Sequence, residues 1–278
     1  MIASEAATLA RIEPFWSWNT PIAWTGFILF ADGIVWRARR QSWIRSAPGE
    51  LAWLALLSIP LWVVFEFYNL FIENWHYVGL PEQPAVRYFG YAWAFATIWP
   101  AIFEGAELAA VCRARLMPGP GWRLRPPPLP PARVIFFGRL SMAVGAALLI
   151  LPLAWPSPYL AAPVFLGFIF LLDPINARLG GESLYDDLVV RGDPSRLVNL
   201  ILSGLLCGIL WEFWNYWSRA KWHYTVPIME HLKIFEMPVP GYFGFPAFAV
   251  ECFTMYVFVR LVVSAVIGRD RLRRMIAL

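Results

Sequence analysis

Apolar stretches, most of them close to 20 residues long, alternate with shorter polar segments along the whole chain. An α-helix rises about 1.5 Å per residue, so about 20 apolar residues cross a hydrocarbon layer about 30 Å thick. Pro60 lies inside the second stretch and predicts a kink there. The pattern predicts seven transmembrane helices, at about residues 20–36, 51–72, 88–111, 134–153, 160–172, 197–217 and 242–267.

Part of this pattern occurs twice. Phe-Glu-Phe-Tyr-Asn at 65–69, followed by Trp-His-Tyr at 75–77, is matched by Trp-Glu-Phe-Trp-Asn at 211–215 and Trp-His-Tyr at 222–224. Gly-Phe-Ile and Tyr-Phe-Gly are also duplicated, so the first three predicted helices match the last three. The fourth has no counterpart. A single helix between two copies gives both the same orientation in the membrane, which predicts two parallel three-helix repeats joined by a linker helix.

The repeats divide the chain into three parts. The first repeat covers residues 1–115, and the second covers 157–278. Residues 116–156 form a proline-rich connector and the linker helix. The connector contains Pro-Pro-Pro-Leu-Pro-Pro at 126–131, which predicts a semi-rigid spacer between the halves.

Composition supports a membrane protein. Of the 278 residues, 59% are hydrophobic and 15% are charged, and the mean hydropathy is +0.54. Soluble domains carry about 25% charged residues. We therefore expect an all-α integral membrane protein in which no soluble domain is left over.

The basic residues predict how the chain is oriented. A net charge of +4 would suit nucleic-acid binding, but the arginines cluster in alternate loops between apolar stretches, as at 37–45 and 269–274. Basic loops of membrane proteins face the cytoplasm. We predict an N-terminus outside and a C-terminus in the cytoplasm, in a bacterial inner membrane, with no nucleic-acid partner.

Two other sequence features exclude common alternatives. Cys112, Cys207 and Cys252 are odd in number and fall in or beside apolar stretches, so we expect neither a disulfide framework nor a cysteine metal site. Arg11 and Glu13 precede the first apolar stretch without a basic start or a short apolar core. We therefore expect no cleavable signal peptide.

Acidic residues within the apolar stretches are the candidate chemistry. A charged side chain at the centre of a transmembrane helix costs about 2.5 to 3.5 kcal/mol on insertion scales, so an intramembrane acid suggests a function. Glu66 and Glu212 lie at matching depths, and Glu251 lies in the outer half of the last helix. Acids sharing such a site would keep at least one proton at neutral pH, which a general acid needs. We predict these three as catalytic residues.

Polar and aromatic residues around the acids are predicted to bind substrate. Asn69 and Asn215 follow the two glutamates by three residues and share their helix faces. Indole rings stabilise cations. The predicted substrate-binding residues are therefore Asn69, Asn215, Trp62, Trp211, Trp214, His76 and His223.

Structural roles are the alternative for these residues. Glutamate and asparagine can simply join helices by hydrogen bonds, and histidine and tryptophan are common at membrane interfaces. A carboxylate–histidine metal site is a further alternative. No Glu-x-x-His pair occurs on any predicted helix, so we predict no metal; the cofactor is left open.

One family resemblance bears on function. Asp32 with Trp36 ends the first predicted helix, Ile59-Pro60 precedes Glu66, and Asp173 and Glu212 occupy the matching places in the second half. This layout resembles the lycopene-cyclase-type carotenoid enzymes, although Leu61-Trp62 stand where that family has paired glutamates. The resemblance implies acid chemistry on an isoprenoid. Independently of it, we expect Asp32 and Asp173 to form ion pairs with Arg37 and Arg178 at the membrane edge.

Three functional hypotheses follow. The first is an integral membrane enzyme that acts on an isoprenoid, a carotenoid or another lipid by acid–base chemistry at the intramembrane glutamates. The second is a small-solute transporter with a site between parallel repeats. The third is a structural subunit of a membrane pigment or respiratory complex, and a homo-oligomer is also an option. Gly204 and Gly208 lie below Glu212 where Trp62 lies below Glu66, so we expect the second half to hold the working site.

Overall fold

The computed structural model describes residues 2–117, 123–124, 130–268, 270 and 272. Within them, six helical stretches are long and apolar enough to cross a membrane. Their bounds are Pro48–Ile72, Pro84–Leu116, Pro131–Ala154, Pro158–Arg178, Ser195–Trp217 and Val239–Ile267. The architecture is that of an all-α, membrane-embedded protein.

The helices are α1 (Ile2–Leu9), α2 (Asn19–Arg39), α3 (Trp43–Ser46), α4 (Pro48–Ile72), α5 (Pro84–Ala96), α6 (Ile98–Leu116), α7 (Pro131–Ala154), α8 (Ala161–Arg178), α9 (Ser195–Trp217) and α10 (Gly244–Ile267). Two short antiparallel ribbons join β1 (Trp75–Val78) to β2 (Lys221–Tyr224) and β3 (Lys233–Ile234) to β4 (Met237–Pro238). Short 3-10 helices at Pro158–Leu160 and Val239–Phe243 lead into α8 and α10, and a π-helix covers Asp186–Val190.

Two of the predicted helices differ from the structure. The first is present as α2, with 21 residues, but it is not among the six apolar stretches, so seven crossings stay a prediction. The third is divided at Thr97. Pro100 has no N–H to continue the helical hydrogen bonds, and Ser58 of α4 bonds both sides of the break, accepting from the Trp99 amide at 3.1 Å and donating to the Phe95 carbonyl.

α10 lies at the centre of the bundle. All ten residues from Phe248 to Val257 are buried, and α8 and α9 pack along this helix. Small residues allow close helix contacts elsewhere: a side chain at Gly105 of α6 would collide with Ser203 of α9, and one at Gly145 of α7 with the Leu171 backbone of α8. The predicted linker helix α7 packs along α8 and is mostly exposed, as expected for a helix that faces lipid.

The two halves share several local contacts. β1 and β2 pair so that His76 lies directly opposite His223. The side-chain amides of Asn69 and Asn215 each donate to the backbone of the strand that follows, at 2.8 Å in both halves. These matches are compatible with two parallel repeats. That the three-helix units themselves are related as parallel repeats remains a prediction. Residues 118–122 and 125–129, most of the predicted connector, lie outside the described residues.

The expected ion pairs of Asp32 and Asp173 are a wrong prediction. Asp32 accepts a hydrogen bond from the Ile44 amide at 2.8 Å, and Asp173 accepts one from the Leu184 amide at 2.7 Å. In the part of the chain that is described, neither forms a salt bridge with Arg37 or Arg178. Backbone N–H groups at the start of the next segment need acceptors, and the two buried carboxylates supply them.

Candidate functional site

A cavity of about 420 Å³ lies at one end of the bundle. Its walls come from the N-terminal parts of α2 and α8, most of the length of α5, the start of α10 and the segment before it, and the C-terminal parts of α4 and α9. The arginines follow the opposite ends of α2 and α6. The cavity therefore lies on the side predicted to be outside, and both halves contribute to its wall.

The β1–β2 ribbon forms one wall of this cavity. Side chains of a strand alternate between its two faces, and the cavity is lined by Trp75 and Tyr77 of β1 and by Trp222 and Tyr224 of β2. His76 and His223 are not among the lining residues; their ring centroids lie 5.9 Å apart. The aromatic residues of the duplicated Trp-His-Tyr therefore reach the cavity, while the histidines do not.

Glu66 lies behind this aromatic wall, and one of its two oxygens is held by three hydrogen bonds. Its Oε1 accepts hydrogen bonds from the Tyr77 hydroxyl at 2.5 Å, the Trp62 indole at 2.7 Å and the Trp75 indole at 3.3 Å. Burial, together with the neighbouring Glu66 charge, raises the pKa of Tyr77 well above its ordinary value. Tyr77 thus keeps its proton and connects the glutamate to the cavity.

Glu212 occupies the matching place in the second half, but it has no such partners. Its side chain is fully buried and neither carboxyl oxygen has a hydrogen-bond partner in the described part of the chain. The Tyr224 hydroxyl and the Trp222 indole lie near enough to stabilise its charge, but the Trp222 N–H is itself buried and forms no hydrogen bond with any described residue. Burial, and then the Glu212 charge, raises the pKa of Tyr224 well above its ordinary value.

The contrast follows from one sequence difference. Trp62, which donates to Glu66, corresponds to Gly208 in the second half. The ring of Phe245 from the start of α10 packs against Gly208, and the Phe245–Pro246 backbone packs against Gly204. The predicted close approach at these glycines is therefore present, and α10 fills the space without supplying a donor to Glu212.

Glu251 is separate from both clusters. It is fully buried on α10, its oxygens are unpartnered within the described ranges, and it lies against the Phe168 backbone of α8. No hydrogen bond between described residues joins any two of the three glutamates. The structure therefore does not bring the predicted catalytic acids into one hydrogen-bonded site.

The predicted substrate-binding residues fall into two groups. Trp62 and Trp211 line the cavity and contact each other, with ring centroids 5.5 Å apart. The others lie outside its lining: Trp214 is buried against Trp24, Asn69 and Asn215 hold the strands by the backbone bonds described above, and the two histidines lie on the other face of the ribbon.

An ionic cluster anchors β2 to the segment before α10. Glu236 accepts a hydrogen bond from Lys221 at 2.8 Å, and His223 Nδ1 lies 2.9 Å from its other oxygen. Burial alone would raise the pKa of Glu236, but the bonds from Lys221 and His223 outweigh burial and hold that pKa below its ordinary value. No group of three or more His, Cys, Asp or Glu able to hold a metal ion occurs in the described ranges.

A second cavity, of about 430 Å³, lies at the arginine-rich end. It is polar. Glu50 accepts hydrogen bonds from Tyr256 at 3.0 Å and Arg260 at 3.2 Å, and Asp187 lies 3.0 Å from Arg196. Burial raises the pKa of Asp187 despite its arginine neighbours. The charged residues that line this second cavity already form salt bridges.

Sequence reasoning missed Tyr77, Tyr224, Trp75 and Trp222 as site residues. The signal was the alternation in Trp-His-Tyr, which places the aromatic residues on one face and histidine on the other if the segment is a strand. The two strands are each four residues long and lie in separate halves of the chain. Their pairing could therefore not be inferred from the local sequence pattern. No protein-family model, curated protein or solved structure matches this chain.

Proposed function

We propose that this protein is an integral membrane enzyme that acts on an isoprenoid or other lipid by acid–base chemistry. The reaction would take place in the first cavity, which we call the aromatic cavity because tryptophan and tyrosine side chains line it. The supporting observation is a glutamate beside a tyrosine that lines the cavity, an arrangement that occurs once in each half. A carboxyl group behind a phenol can exchange a proton with a ligand that touches only the phenol. The glutamate would be the proton reservoir and the tyrosine the relay.

The cavity wall suits an apolar substrate. Six tryptophans line it, namely Trp18, Trp24, Trp62, Trp75, Trp211 and Trp222. Indole faces attract positive charge, so they would also stabilise a cation formed when an alkene accepts a proton. The resemblance to the carotenoid enzymes points to the same substrate class.

Glu212 is the principal acid–base residue in this proposal, and Tyr224 is its relay. Glu66 already accepts three hydrogen bonds on one oxygen, which restrains that carboxyl group. Glu212 has both oxygens free of partners among the described residues. The second half would therefore carry out the proton transfer while the first half holds the cavity wall.

Proton transfer to carbon can be tested in heavy water. Purified protein would be incubated in D₂O with the lipid that copurifies with it and, separately, with geranylgeraniol, and the lipids would be analysed by mass spectrometry. Addition of a solvent deuteron to one carbon and loss of a proton from its neighbour leaves one deuterium in the product. We expect deuterium with wild type and much less with Tyr224→Phe. Equal, background-level exchange in both would contradict the enzyme.

A transporter is the second candidate, because two cavities lie at opposite ends of the same helices. On α10, Phe248 lines the first cavity and Phe253 the second, a separation of about 7.5 Å along the helix. Glu251, whose oxygens have no hydrogen-bond partner among the described residues, lies between them along α10. Uptake of a solute into proteoliposomes that is abolished by Glu251→Gln, without deuterium exchange, would favour transport over chemistry.

A further inference from the structure

The two copies of the acid–aromatic cluster differ in whether their polar groups are satisfied. In the first copy, two indole N–H groups and one phenol bond the same oxygen of Glu66. In the second copy, both oxygens of Glu212 and the N–H of Trp222 are buried and have no partner among the described residues. We call the first cluster closed, because its three donors are all bonded to Glu66. In the second cluster, two acceptors and one donor are free to bond a ligand.

Buried polar groups are nearly always hydrogen-bonded, and an unpaired one is costly. Here the donor and the acceptors are neighbours. The Tyr224 hydroxyl and the Trp222 indole lie close enough to the Glu212 carboxyl group to stabilise its charge, but among the described residues neither meets it with the distance and angle of a hydrogen bond. Trp222 and Tyr224 also line the cavity. The unsatisfied groups therefore lie at the boundary between the buried acid and the space available to a ligand.

The chemistry of the missing partner can be specified. A hydroxyl group donates one hydrogen bond and accepts others, so a single hydroxyl can donate to Glu212 and accept from Trp222 at once. A carbonyl group can only accept, so it would give neither Glu212 oxygen a donor, and an ammonium group can only donate, so it would leave the indole N–H unpaired. A hydrocarbon end would serve neither.

An anionic headgroup fits this place poorly. Whenever Glu212 has released its proton, its carboxylate would repel a phosphate or a fatty-acid carboxylate. Lys221 of β2, which also lines the cavity, is already bonded to Glu236 at 2.8 Å. Arg87, also in the cavity wall, donates to the backbone carbonyls of Pro81 and Glu82. The remaining charge therefore favours a neutral polar end.

We infer that Glu212 and Trp222 form the binding site for the hydroxyl end of a lipid alcohol whose hydrocarbon chain occupies the aromatic cavity. This inference rests on the proposed function and specifies its substrate class. It also assigns different tasks to the two copies. The first copy is a closed wall, and the second recognises the polar end of the ligand.

The test compares two ligands that differ only in the hydroxyl group. Tritiated geranylgeraniol would be bound to the purified protein in detergent and displaced by unlabelled geranylgeraniol or by its methyl ether, which can accept but not donate. We expect wild type to prefer the alcohol by about tenfold or more, because the ether gives Glu212 no hydrogen-bond donor. Glu212→Gln should reduce that preference several-fold, whereas Trp222→Phe should weaken the binding of both compounds several-fold, since both accept from the indole N–H.

The duplicated cluster supplies a matched control. Trp75→Phe removes the equivalent indole N–H from the closed copy, where it is bonded to Glu66, so it should weaken the binding of both compounds by less than Trp222→Phe does and leave the alcohol-to-ether ratio unchanged. Thermal melting of each variant checks folding, and if Trp222→Phe melts far below wild type, Glu212→Gln decides the matter.

The outcomes separate the two proposals. If wild type binds neither compound, the proposed lipid function fails and the inference fails with it. Equal binding of both would overturn the inference while lipid binding stands. A preference that survives Glu212→Gln, together with unchanged affinities in Trp222→Phe, would mean that water alone fills the second cluster, and this too would overturn the inference.

Discussion

At the scale of single residues, the exchange of one tryptophan for one glycine separates the two halves. Trp62 donates a hydrogen bond to Glu66. Gly208, at the matching position, packs against the ring of Phe245 and has no side chain that could donate to Glu212. This asymmetry was visible in the sequence, because Gly204 and Gly208 lie on the same helix face as Glu212. The residue that packs against Gly208 could not be predicted, since Phe245 belongs to a helix that is distant in the sequence.

The close contact at Gly204 predicts a stability effect. A Cβ atom added there would lie 2.5 Å from the Phe245 carbonyl oxygen and 2.7 Å from the Pro246 Cα, and backbone atoms cannot move aside as a side chain can. We expect Gly204→Ala to lower the free energy of unfolding by about 1–3 kcal/mol, measured by thermal melting in detergent.

Gly33 of α2 is the matched control, because a Cβ atom there meets nothing within 4 Å. Gly33→Ala should be neutral or stabilising by up to about 1 kcal/mol. Equal melting temperatures for Gly204→Ala and wild type would show that α10 does not pack against α9 as described.

At the scale of elements, helix positions were largely predictable and the strands were not. Apolar length located the helices to within a few residues for α4, α7 and α9, since their ends are set by where hydrophobicity stops. Thr97 divides the third helix because of Pro100, whose effect a hydropathy pattern does not register. Trp75–Val78 and Lys221–Tyr224 pair across 147 residues of sequence separation at their histidines, which no local propensity encodes.

The anchoring of β2 predicts a pH dependence. The folded-state pKa of Glu236 is lowered, so its contribution to stability is complete above the unfolded-state value of about 4.3 and is lost as the pH falls through the lower folded value. We expect the melting temperature to fall between pH 6 and pH 3, and by less in Glu236→Gln. Identical pH profiles for wild type and Glu236→Gln would show that Glu236 does not contribute to the pH dependence of stability.

At the scale of the whole molecule, composition predicted a membrane-embedded helical protein, and six apolar helices agree with it. The aromatic cavity and the polar cavity lie at opposite ends of the bundle. Neither could be predicted from sequence, because each is built from the ends of helices far apart in the chain. The alternation of basic and near-neutral loops still predicts which end faces the cytoplasm.

Orientation can be measured with single cysteines in a background in which the exposed Cys112 is replaced by serine. Gln41 and Gln83 are both exposed and lie at opposite ends of the bundle. Ser42 would be a poor probe, because it is buried and bonded to Asp32. In intact cells an impermeant thiol reagent should label a cysteine at 83 and not at 41; the reverse would invert the topology.

The central claim is that the second half exchanges protons with a lipid through Glu212. Deuterium incorporation from D₂O into the copurified lipid and geranylgeraniol, measured together with thermal melting for wild type, Glu66→Gln and Glu212→Gln, tests it most directly. We expect wild type to incorporate deuterium, Glu66→Gln to retain part of that rate, and Glu212→Gln to lose it while melting close to wild type, because the amide keeps the volume but cannot give up a proton. Unchanged incorporation in Glu212→Gln, or unfolding of that variant, would make this carboxyl group structural and contradict the account.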